Sequence, residues 1–324
     1  MDPILSHLKN SRRVLLVTHT NPDGDAIGSL IAMGLALEAM GVAPTLCNES
    51  PIPAVYRFLP SVNRIATSPG PPDRFDTAMV MDCGDLNRVG EATAKTVARI
   101  PVIINVDHHI TNTGFGHLQM VEPFACATAE IVYRIIQRLG VAINRAMATA
   151  IYTGILTDTG SFRFSNTNRA AFSICDEMVG CGVDPSKVAQ HVYGTYSLGR
   201  IKLLNLALDS IEISANGKLS MMTLSRDMLQ ETSTRPEDAD GLVNYARSIE
   251  EVRLAALIQE RPNGGGHSGQ GGRYHVSLRS DGSVDVSEIA SFFGGGGHVS
   301  AAGFTIESTL LEIKSEIMGL ADTL

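Results

Sequence analysis

The sequence contains few cysteines, no long apolar run and no excess of positive charge, and each shortage excludes a class of protein. Its five cysteines are odd in number and form no Cys-x-x-Cys pair, so we expect neither a disulfide framework nor a zinc knuckle. Free thiols buried in a core are the remaining interpretation. No segment has the apolar length of a signal peptide or of a membrane span. We therefore predict a cytoplasmic protein with no membrane partner.

Positive charge is scarce in both halves of the chain. The whole sequence has 26 Lys and Arg against 34 Asp and Glu, which gives a formal net charge of −8. Proteins that bind long nucleic acids normally neutralise many phosphates with Lys and Arg, so we exclude a long nucleic acid as a partner. A short anionic ligand in a local pocket remains open, and so does a homodimer.

The length and composition favour two globular domains. A chain of 324 residues with 44% hydrophobic and 19% charged residues is long for a single core, and it has no strongly biased tract. We predict an α/β fold whose N-terminal domain, residues 1–185, holds a mostly parallel sheet flanked by helices. Residues 186–205 are the predicted linker, and residues 206–324 are a second, smaller α/β domain across a cleft.

Short apolar runs mark the strands. Residues 14–17, 77–81 and 102–106 are continuous apolar segments separated by helical stretches such as residues 26–40, which is typical of a parallel sheet covered on both faces. Ligands of such sheets bind at the carboxyl ends of the strands. From about residue 127 to residue 182 we predict helices, interrupted at Gly140 and at residues 158–167. Later strands are expected near residues 219–224, 252–259 and 274–278.

Acidic and imidazole side chains follow each of these strands, at His19, Asp23 and Asp25, at Asp82, and at Asp107, His108 and His109. A single aspartate at a strand end is readily explained as the cap of the next helix. Three such strand ends are harder to explain in this way, because several like charges in one cleft require cations to offset their repulsion. The sequence therefore predicts a metal cluster.

The residue types also indicate which metal the cluster binds. A mixture of carboxylate and imidazole favours Mn²⁺, Co²⁺, Fe²⁺ or Zn²⁺, and we expect Mn²⁺. Asp158 ends a helical segment and is a candidate for completing the cluster, although alone it reads as an ordinary helix-end aspartate. Asp107 has two alternative interpretations, a buried carboxylate at a strand end or a partner that orients His108.

A glycine run in the second half is a candidate phosphate site. It consists of Gly294, Gly295, Gly296 and Gly297, followed by His298. Successive glycines let backbone N–H groups face an anion, and we expect the next helix terminus to favour negative charge there. A polyglycine linker is the alternative, and the apolar segments that closely flank the run disfavour it.

Five motifs occur in an order that resembles a known family. HTNPDGDAIG, VMDCGD, NVDHH and GILTDTGSF, between residues 19 and 162, resemble the four signature motifs of the DHH phosphoesterase superfamily. FGGGGHVSAAG, residues 293–303, resembles the signature of the C-terminal domain associated with it. The chain is most similar to the group of nanoRNases and 3′-phosphoadenosine-5′-phosphate (pAp) phosphatases.

The resemblance implies a role for each residue of the cluster. One metal ion would be bound by His19, Asp23 and Asp82, and a second by Asp25, Asp82, His108 and Asp158. Two such ions activate a shared water and neutralise charge on the phosphoryl oxygens. His109 would touch the phosphate or the leaving oxygen, with Asp107 beside the metal ligands. Arg88 would contact phosphate or remain a solvated surface arginine.

The resemblance also implies a substrate. Arg279 would bind a distal phosphate with the glycine run and His298, and the enzyme would hydrolyse short RNA oligomers to 5′-mononucleotides and pAp to AMP. A linear or cyclic dinucleotide such as pApA or cyclic di-AMP is the alternative substrate. Inorganic pyrophosphatase activity is disfavoured by the GGGGH signature, and a sensor without turnover by the complete set of metal ligands. The segment of residues 262–272 is longer than the connection that we expect between the strands on either side of it, and we interpret it as a hairpin loop. Neither this loop nor Arg273 has an assigned role.

Overall fold

The computed structural model describes residues 1–194, 196–262 and 272–324. It divides into two compact units, Met1–Thr195 and Tyr196–Leu324. The segment predicted as a linker, residues 186–205, contains most of one helix, Pro185–Tyr193, and the first part of another, Leu198–Asp209. The predicted loop at residues 262–272 falls largely on residues 263–271, which lie outside the described residues.

The first unit is a parallel sheet flanked by helices. Its five strands have the order β2-β1-β3-β4-β5 and are all parallel. The strands are β1 (Arg13–Val17), β2 (Ala43–Cys47), β3 (Thr77–Met81), β4 (Val102–Asp107) and β5 (Leu118–Val121). The helices are α1 (Asp2–Asn10), α2 (Gly24–Ala39), α3 (Glu91–Val97), α4 (Thr128–Leu139), α5 (Arg145–Asp158), α6 (Arg169–Gly180) and α7 (Pro185–Tyr193).

The central strands are apolar throughout because both of their faces are covered. In β1, Val14 and Leu16 belong to the larger core on one side of the sheet, and Leu15 and Val17 belong to the core on the other side. Successive side chains of a strand point to opposite faces, so a strand between two cores needs an uninterrupted apolar sequence. The predicted parallel sheet with helices on both faces is confirmed.

Helices α2 and α5 approach each other closely because both carry glycine at their contact. A Cβ on Gly28 would lie 2.4 Å from the carbonyl oxygen of Ala150, and a Cβ on Gly154 would lie 2.9 Å from Asp25 Oδ1. Any side chain at either position would push the helices apart. The contact brings the first turn of α2, with Asp25, beside the last turn of α5, with Asp158.

The second unit is built on a mixed sheet of six strands in the order β10-β11-β9-β8-β7-β6, in which only the β7–β8 pair is parallel. One core lies on each side of this sheet, and the predicted second α/β domain is confirmed. The strands are β6 (Glu212–Ile213), β7 (Leu219–Leu224), β8 (Leu254–Arg261), β9 (Gly272–Ser280), β10 (Gly296–His298) and β11 (Ala301–Ser308). The helices are α8 (Leu198–Asp209), α9 (Arg226–Glu231), α10 (Val243–Arg247), α11 (Val286–Phe292) and α12 (Leu310–Gly319).

Candidate metal centre

The residues predicted to bind metal lie together at the carboxyl end of the parallel sheet. His19 lies two residues after β1, Asp82 directly follows β3, and His108 directly follows β4. Asp25 lies in the first turn of α2, and Asp158 is the last residue of α5. Because β2 and β3 flank β1 on opposite sides, the strand order reverses at this point, and open α/β sheets bind ligands at such a reversal.

His19 faces two carboxylates. Its Nε2 lies 4.0 Å from Asp23 Oδ1 and 3.6 Å from Asp82 Oδ2. Asp23 also caps α2, since its Oδ1 accepts hydrogen bonds of 3.0 Å from the N–H groups of Asp25 and Ala26. The helix-capping interpretation of Asp23 therefore holds together with its position beside His19.

His108 faces the other carboxylates of the cluster. Its Nε2 lies 3.9 Å from Asp25 Oδ2, 3.8 Å from Asp82 Oδ1 and 3.5 Å from Asp158 Oδ2. Asp82 thus directs one oxygen at each imidazole, Oδ2 at His19 and Oδ1 at His108. It is the residue that the two groups share.

The tautomers of the two histidines show that this donor set suits metal ions. His19 Nδ1 lies 2.9 Å from the carbonyl oxygen of Thr20, and His108 Nδ1 lies 3.1 Å from that of Ala125. A carbonyl only accepts hydrogen bonds, so each Nδ1 donates and each Nε2 is turned to the carboxylates, as in metal-binding histidines. The Nε2–carboxylate distances of 3.5–4.0 Å exceed the roughly 2.7–3.2 Å of a hydrogen bond. They match two ligands that each lie about 2.0–2.2 Å from a common ion.

The protein supplies too little positive charge of its own for these carboxylates. Burial raises the pKa of Asp25 well above its ordinary value, and the charges of Asp82 and Asp158 raise it further. The pKa of Asp158 is raised in the same way, by burial and then by the charges of Asp23 and Asp82. Burial would also raise the pKa of Asp82, but contact with His19 and the other imidazoles lowers it. Divalent cations relieve this repulsion, which makes the cluster a favourable site for them.

The N-terminus of α4 holds two of the carboxylates, a contact that the sequence analysis did not predict. The N–H groups of Thr128 and Ala129 donate to Asp25 Oδ2 and Oδ1 at 2.6 Å and 2.8 Å. The hydroxyl group of Thr128 donates to Asp82 Oδ1 at 3.1 Å. Ala127 occupies the N-cap position of α4 and has no side-chain acceptor, so Asp25 takes the place of a local cap.

Asp158 has a supporting residue of its own. Asn166 Nδ2 donates to Asp158 Oδ2 at 3.0 Å and to the carbonyl oxygen of Cys126 at 2.8 Å. Asn166 therefore ties the end of α5 to the segment before α4. Its position in the polar stretch after the fourth motif was the only signal for it in the sequence.

Asp107 is a buried carboxylate at the end of β4, one of its two predicted roles, and it contacts His109 rather than His108. Its Oδ1 lies 2.7 Å from His109 Nδ1, whereas His108 Nδ1 bonds to the carbonyl oxygen of Ala125. Both imidazoles nevertheless approach the same carboxylate oxygen, since His108 Nε2 and His109 Nδ1 each lie 3.8 Å from Asp82 Oδ1. Asn112 Nδ2 donates to Asp107 Oδ2 at 2.6 Å. Burial would raise the pKa of Asp107, but the bond with His109 outweighs it and lowers this pKa.

The backbone is strained at the cluster. Asp82 has a φ of +53°, and Ser161 and Phe162, shortly after Asp158, have φ values of +60° and +62°. Such values cost roughly 1–3 kcal/mol for residues other than glycine and are concentrated at functional sites. The N–H of Asp82 donates to the carbonyl oxygen of Val106 at 2.9 Å, which fixes the Asp82 backbone between β3 and β4.

The glycine run of the second unit differs from the predicted cradle. The N–H groups of Gly294 and Gly295 donate to carbonyl oxygens at the end of α11, so they are not directed at a ligand. Strand β11 follows β10, and no helix begins there. A Cβ on Gly295 would lie 2.2 Å from the carbonyl oxygen of Gly303, which explains that glycine by strand packing. A Cβ on Gly294 or on Gly296 would meet no atom of the described part of this unit within 4 Å, so both positions leave open space.

Arg279 lies on β9 opposite Ala301 of β11, and Ala301 pairs on its other side with His298 of β10. The strand register therefore brings Arg279, His298 and the open space at Gly296 to the same region of one sheet. Arg88 of the first unit lies close enough to His19 for its charge to oppose the raised pKa of that histidine.

Comparison with known proteins identifies the family. Residues 13–155 match the model of the DHH family, N-terminal domain, and residues 219–321 match that of the DHHA1 domain. A protein of Thermus thermophilus named bifunctional oligoribonuclease and PAP phosphatase NrnA is 33% identical over 302 residues, which cover 92% of this chain and 86% of the relative. The chain belongs to the DHH family.

Further relatives of this DHH protein also match nearly the whole chain. The protein of Bacillus subtilis with the same name is 26% identical over 301 residues, 91% of this chain and 90% of the relative. Among solved structures, an exopolyphosphatase-related protein of Bacteroides fragilis superposes with a TM-score of 0.86 at 26% identity, covering 98% of this chain and 95% of the other. The names of the two sequence relatives describe phosphoesterases.

The described residues of the DHH protein include no helix both long enough and apolar enough to cross a membrane.

Proposed function

We propose that this chain is a metal-dependent phosphoesterase that hydrolyses short oligoribonucleotides to 5′-mononucleotides and pAp to AMP. The observation that carries the proposal is the pair of histidines whose Nε2 atoms face buried aspartates at 3.5–4.0 Å. The substrate follows from the relatives, because the chain covers nearly the full length of two proteins named oligoribonuclease and PAP phosphatase.

Two divalent ions, Mn²⁺ by our proposal, fit the donors available. His19, Asp23 and Asp82 would hold one, and Asp25, Asp82, His108 and Asp158 the other. The bridging role of Asp82 is supported by its two oxygens, which face different imidazoles. When bound, such a pair of ions lowers the pKa of a shared water and neutralises charge on the phosphoryl oxygens. A mixed imidazole and carboxylate set suits Mn²⁺ better than Mg²⁺.

The protein groups beside the ions position the substrate and move protons. His109 donates its Nδ1–H to Asp107, so its Nε2 is the atom that exchanges a proton with the leaving oxygen. Asp107, held in turn by Asn112, keeps the imidazole in this tautomer and stabilises its protonated form. In the DHHA1 domain, Arg279 and His298 bind the phosphate remote from the bond that breaks.

The decisive experiment is a substrate panel with the purified protein. pAp, RNA and DNA oligomers of two to five nucleotides, pApA and cyclic di-AMP are incubated with Mn²⁺, Co²⁺ or Mg²⁺, and the products are resolved by chromatography. We expect 5′-mononucleotides from RNA and AMP from pAp, loss of both activities on chelation, and better recovery with Mn²⁺ or Co²⁺ than with Mg²⁺. Full turnover after verified removal of metal would refute the metal mechanism. Turnover of cyclic di-AMP and pApA alone would refute the proposed substrates in favour of a linear or cyclic dinucleotide.

A further inference from the structure

Basic side chains lie in a row on one face of β9. Arg273, His275 and Arg279 are an even number of residues apart, so they point to the same side of the strand. Val276 and Leu278 point to the other side and are buried in a core of the DHHA1 domain. His275 and Arg279 are half-buried, and Arg273 is exposed. The three basic side chains therefore lie outside that core.

Strand β8 adds a further arginine to this face. Arg261 pairs with Arg273 in the antiparallel register of β8 and β9, and opposed residues share a face. Burial lowers the pKa of the His275 ring to about 4, and the charges of Arg261 and Arg279 contribute to this shift. In the strand register, His275 lies between Arg279 and the position of Arg273, which Arg261 opposes. We name Arg261, His275 and Arg279 the basic strip.

Strand β11 approaches the strip closely at a glycine. Gly303 of β11 pairs with Ser277 of β9, between His275 and Arg279. A Cβ on Gly303 would lie 3.4 Å from the ring of His275 and 3.0 Å from the carbonyl oxygen of Val276. A side chain at this position would crowd these atoms, so glycine allows β11 to lie this close to His275.

Two carboxylates lie near arginines of this region. Glu307 pairs with Arg273, which gives that arginine an acidic neighbour. Glu237 favours the charged form of Arg261, but burial outweighs it and lowers the pKa of Arg261. An arginine near an imidazole suits a phosphate group, because arginine binds phosphate oxygens through two parallel hydrogen bonds.

We propose that Arg261 and His275 bind a second phosphodiester of a single-stranded oligonucleotide, beyond the phosphate held by Arg279. The proposal rests on the function assigned to Arg279 above. His275 lies four residues from Arg279 along β9, which corresponds to about 14 Å. A mononucleotide such as pAp cannot span this distance in addition to reaching Arg279, whereas an oligomer of several nucleotides can. The basic strip thus favours the longer members of the substrate class.

The test compares Michaelis constants for the hydrolysis of pAp, a dinucleotide and a pentanucleotide with Mn²⁺. Arg261→Ala is expected to raise the ratio of KM for the pentanucleotide to KM for pAp at least tenfold, and His275→Ala at least threefold. The dependence of log KM on log salt for the pentanucleotide should fall by about 0.7 for Arg261→Ala, the value for one contact to single-stranded phosphate. Arg253→Ala, an exposed arginine just before the opposite end of β8, is the matched control.

Binding measured without turnover tests the basic strip separately from the proposed phosphoesterase function. Fluorescence anisotropy of a labelled pentanucleotide in the presence of a chelator should show the same tenfold loss for Arg261→Ala and for Arg261→Gln, with thermal unfolding as a check of the fold. Tight binding of the pentanucleotide by a wild-type protein that hydrolyses nothing would refute the proposed function and leave the strip standing. Equal losses for pAp and the pentanucleotide, or losses matched by Arg253→Ala, would refute the strip.

Discussion

Replacing Thr128 by valine tests whether the start of α4 positions the metal ligands. Valine has nearly the shape of threonine, so Thr128→Val removes the hydroxyl bond to Asp82 Oδ1 (3.1 Å) and leaves the N–H bond to Asp25 Oδ2 (2.6 Å) intact. Thr128 is fully buried, so water cannot replace the hydroxyl group. The substitution therefore changes one contact of the proposed bridging ligand.

The size of the effect follows from two independent estimates. A hydrogen bond to a charged group contributes about 1.5–3 kcal/mol. Partners that orient metal ligands contribute roughly 10–100-fold in metal affinity, which corresponds to about 1.4–2.8 kcal/mol. We expect Thr128→Val to weaken Mn²⁺ binding by this factor, and kcat at saturating Mn²⁺ to recover most of its wild-type value.

The assay is calorimetric titration of the chelator-treated protein with Mn²⁺, followed by activity against Mn²⁺ concentration. Thr128→Ser keeps the hydroxyl group and should restore most of the affinity. Thr153→Val is the control, since Thr153 is also fully buried but its hydroxyl bonds to the carbonyl oxygen of Thr149 within α5. Wild-type Mn²⁺ affinity in Thr128→Val, or an equal loss in Thr153→Val, would refute the reasoning.

Three further outcomes are expected. Asp82→Ala should reduce Mn²⁺ affinity by more than the roughly 10–100-fold of an outer partner, and two ions per chain in the folded variant, found by elemental analysis, would exclude bridging. His109→Ala should lower kcat about 10²–10⁴-fold, also on bis-p-nitrophenyl phosphate, where Arg279→Ala should stay near the wild-type rate; equal losses would contradict a role of Arg279 in substrate capture. Burial raises the pKa of Cys47 to about 11, so its thiol is protonated at pH 8 and should react with iodoacetamide only after unfolding. The half-buried Cys181 should react first, and early labelling of Cys47 in peptide mass spectrometry would contradict this.

The sequence predicts the central strands better than the edge strands. Residues 14–17 face a core on each side, and this environment requires the continuous apolar run from which the strand is predicted. Strand β2 lies at the edge of the sheet, contains Pro44 and is only partly buried, so its sequence carries no such run. Its place depends on its pairing with β1, which is a tertiary interaction.

The candidate metal-binding residues that directly follow strands were predictable from the sequence. Acidic and imidazole side chains after β1, β3 and β4 had to converge once the strands were parallel, and the structure brings them together. The support from Thr128 was not predictable, because this residue is 103 positions from Asp25 in the chain. The pairing of Asp107 with His109 was not predictable either, because both histidines follow the end of β4 and both face Asp82. The role of the glycine run could not be predicted, because a chain of glycines has the same sequence whether it binds a ligand or packs two strands.

The double use of Asp25 has a consequence for how a protein of this kind can lose its activity. The same carboxylate faces the proposed ion and caps α4, and removal of a helix cap typically destabilises a protein by about 0.5–2 kcal/mol. Asp158 carries no comparable duty, since its carboxylate accepts its hydrogen bond from the side chain of Asn166. An inactive descendant that keeps this fold should therefore discard Asp158 early and retain Asp25 long after catalysis is gone.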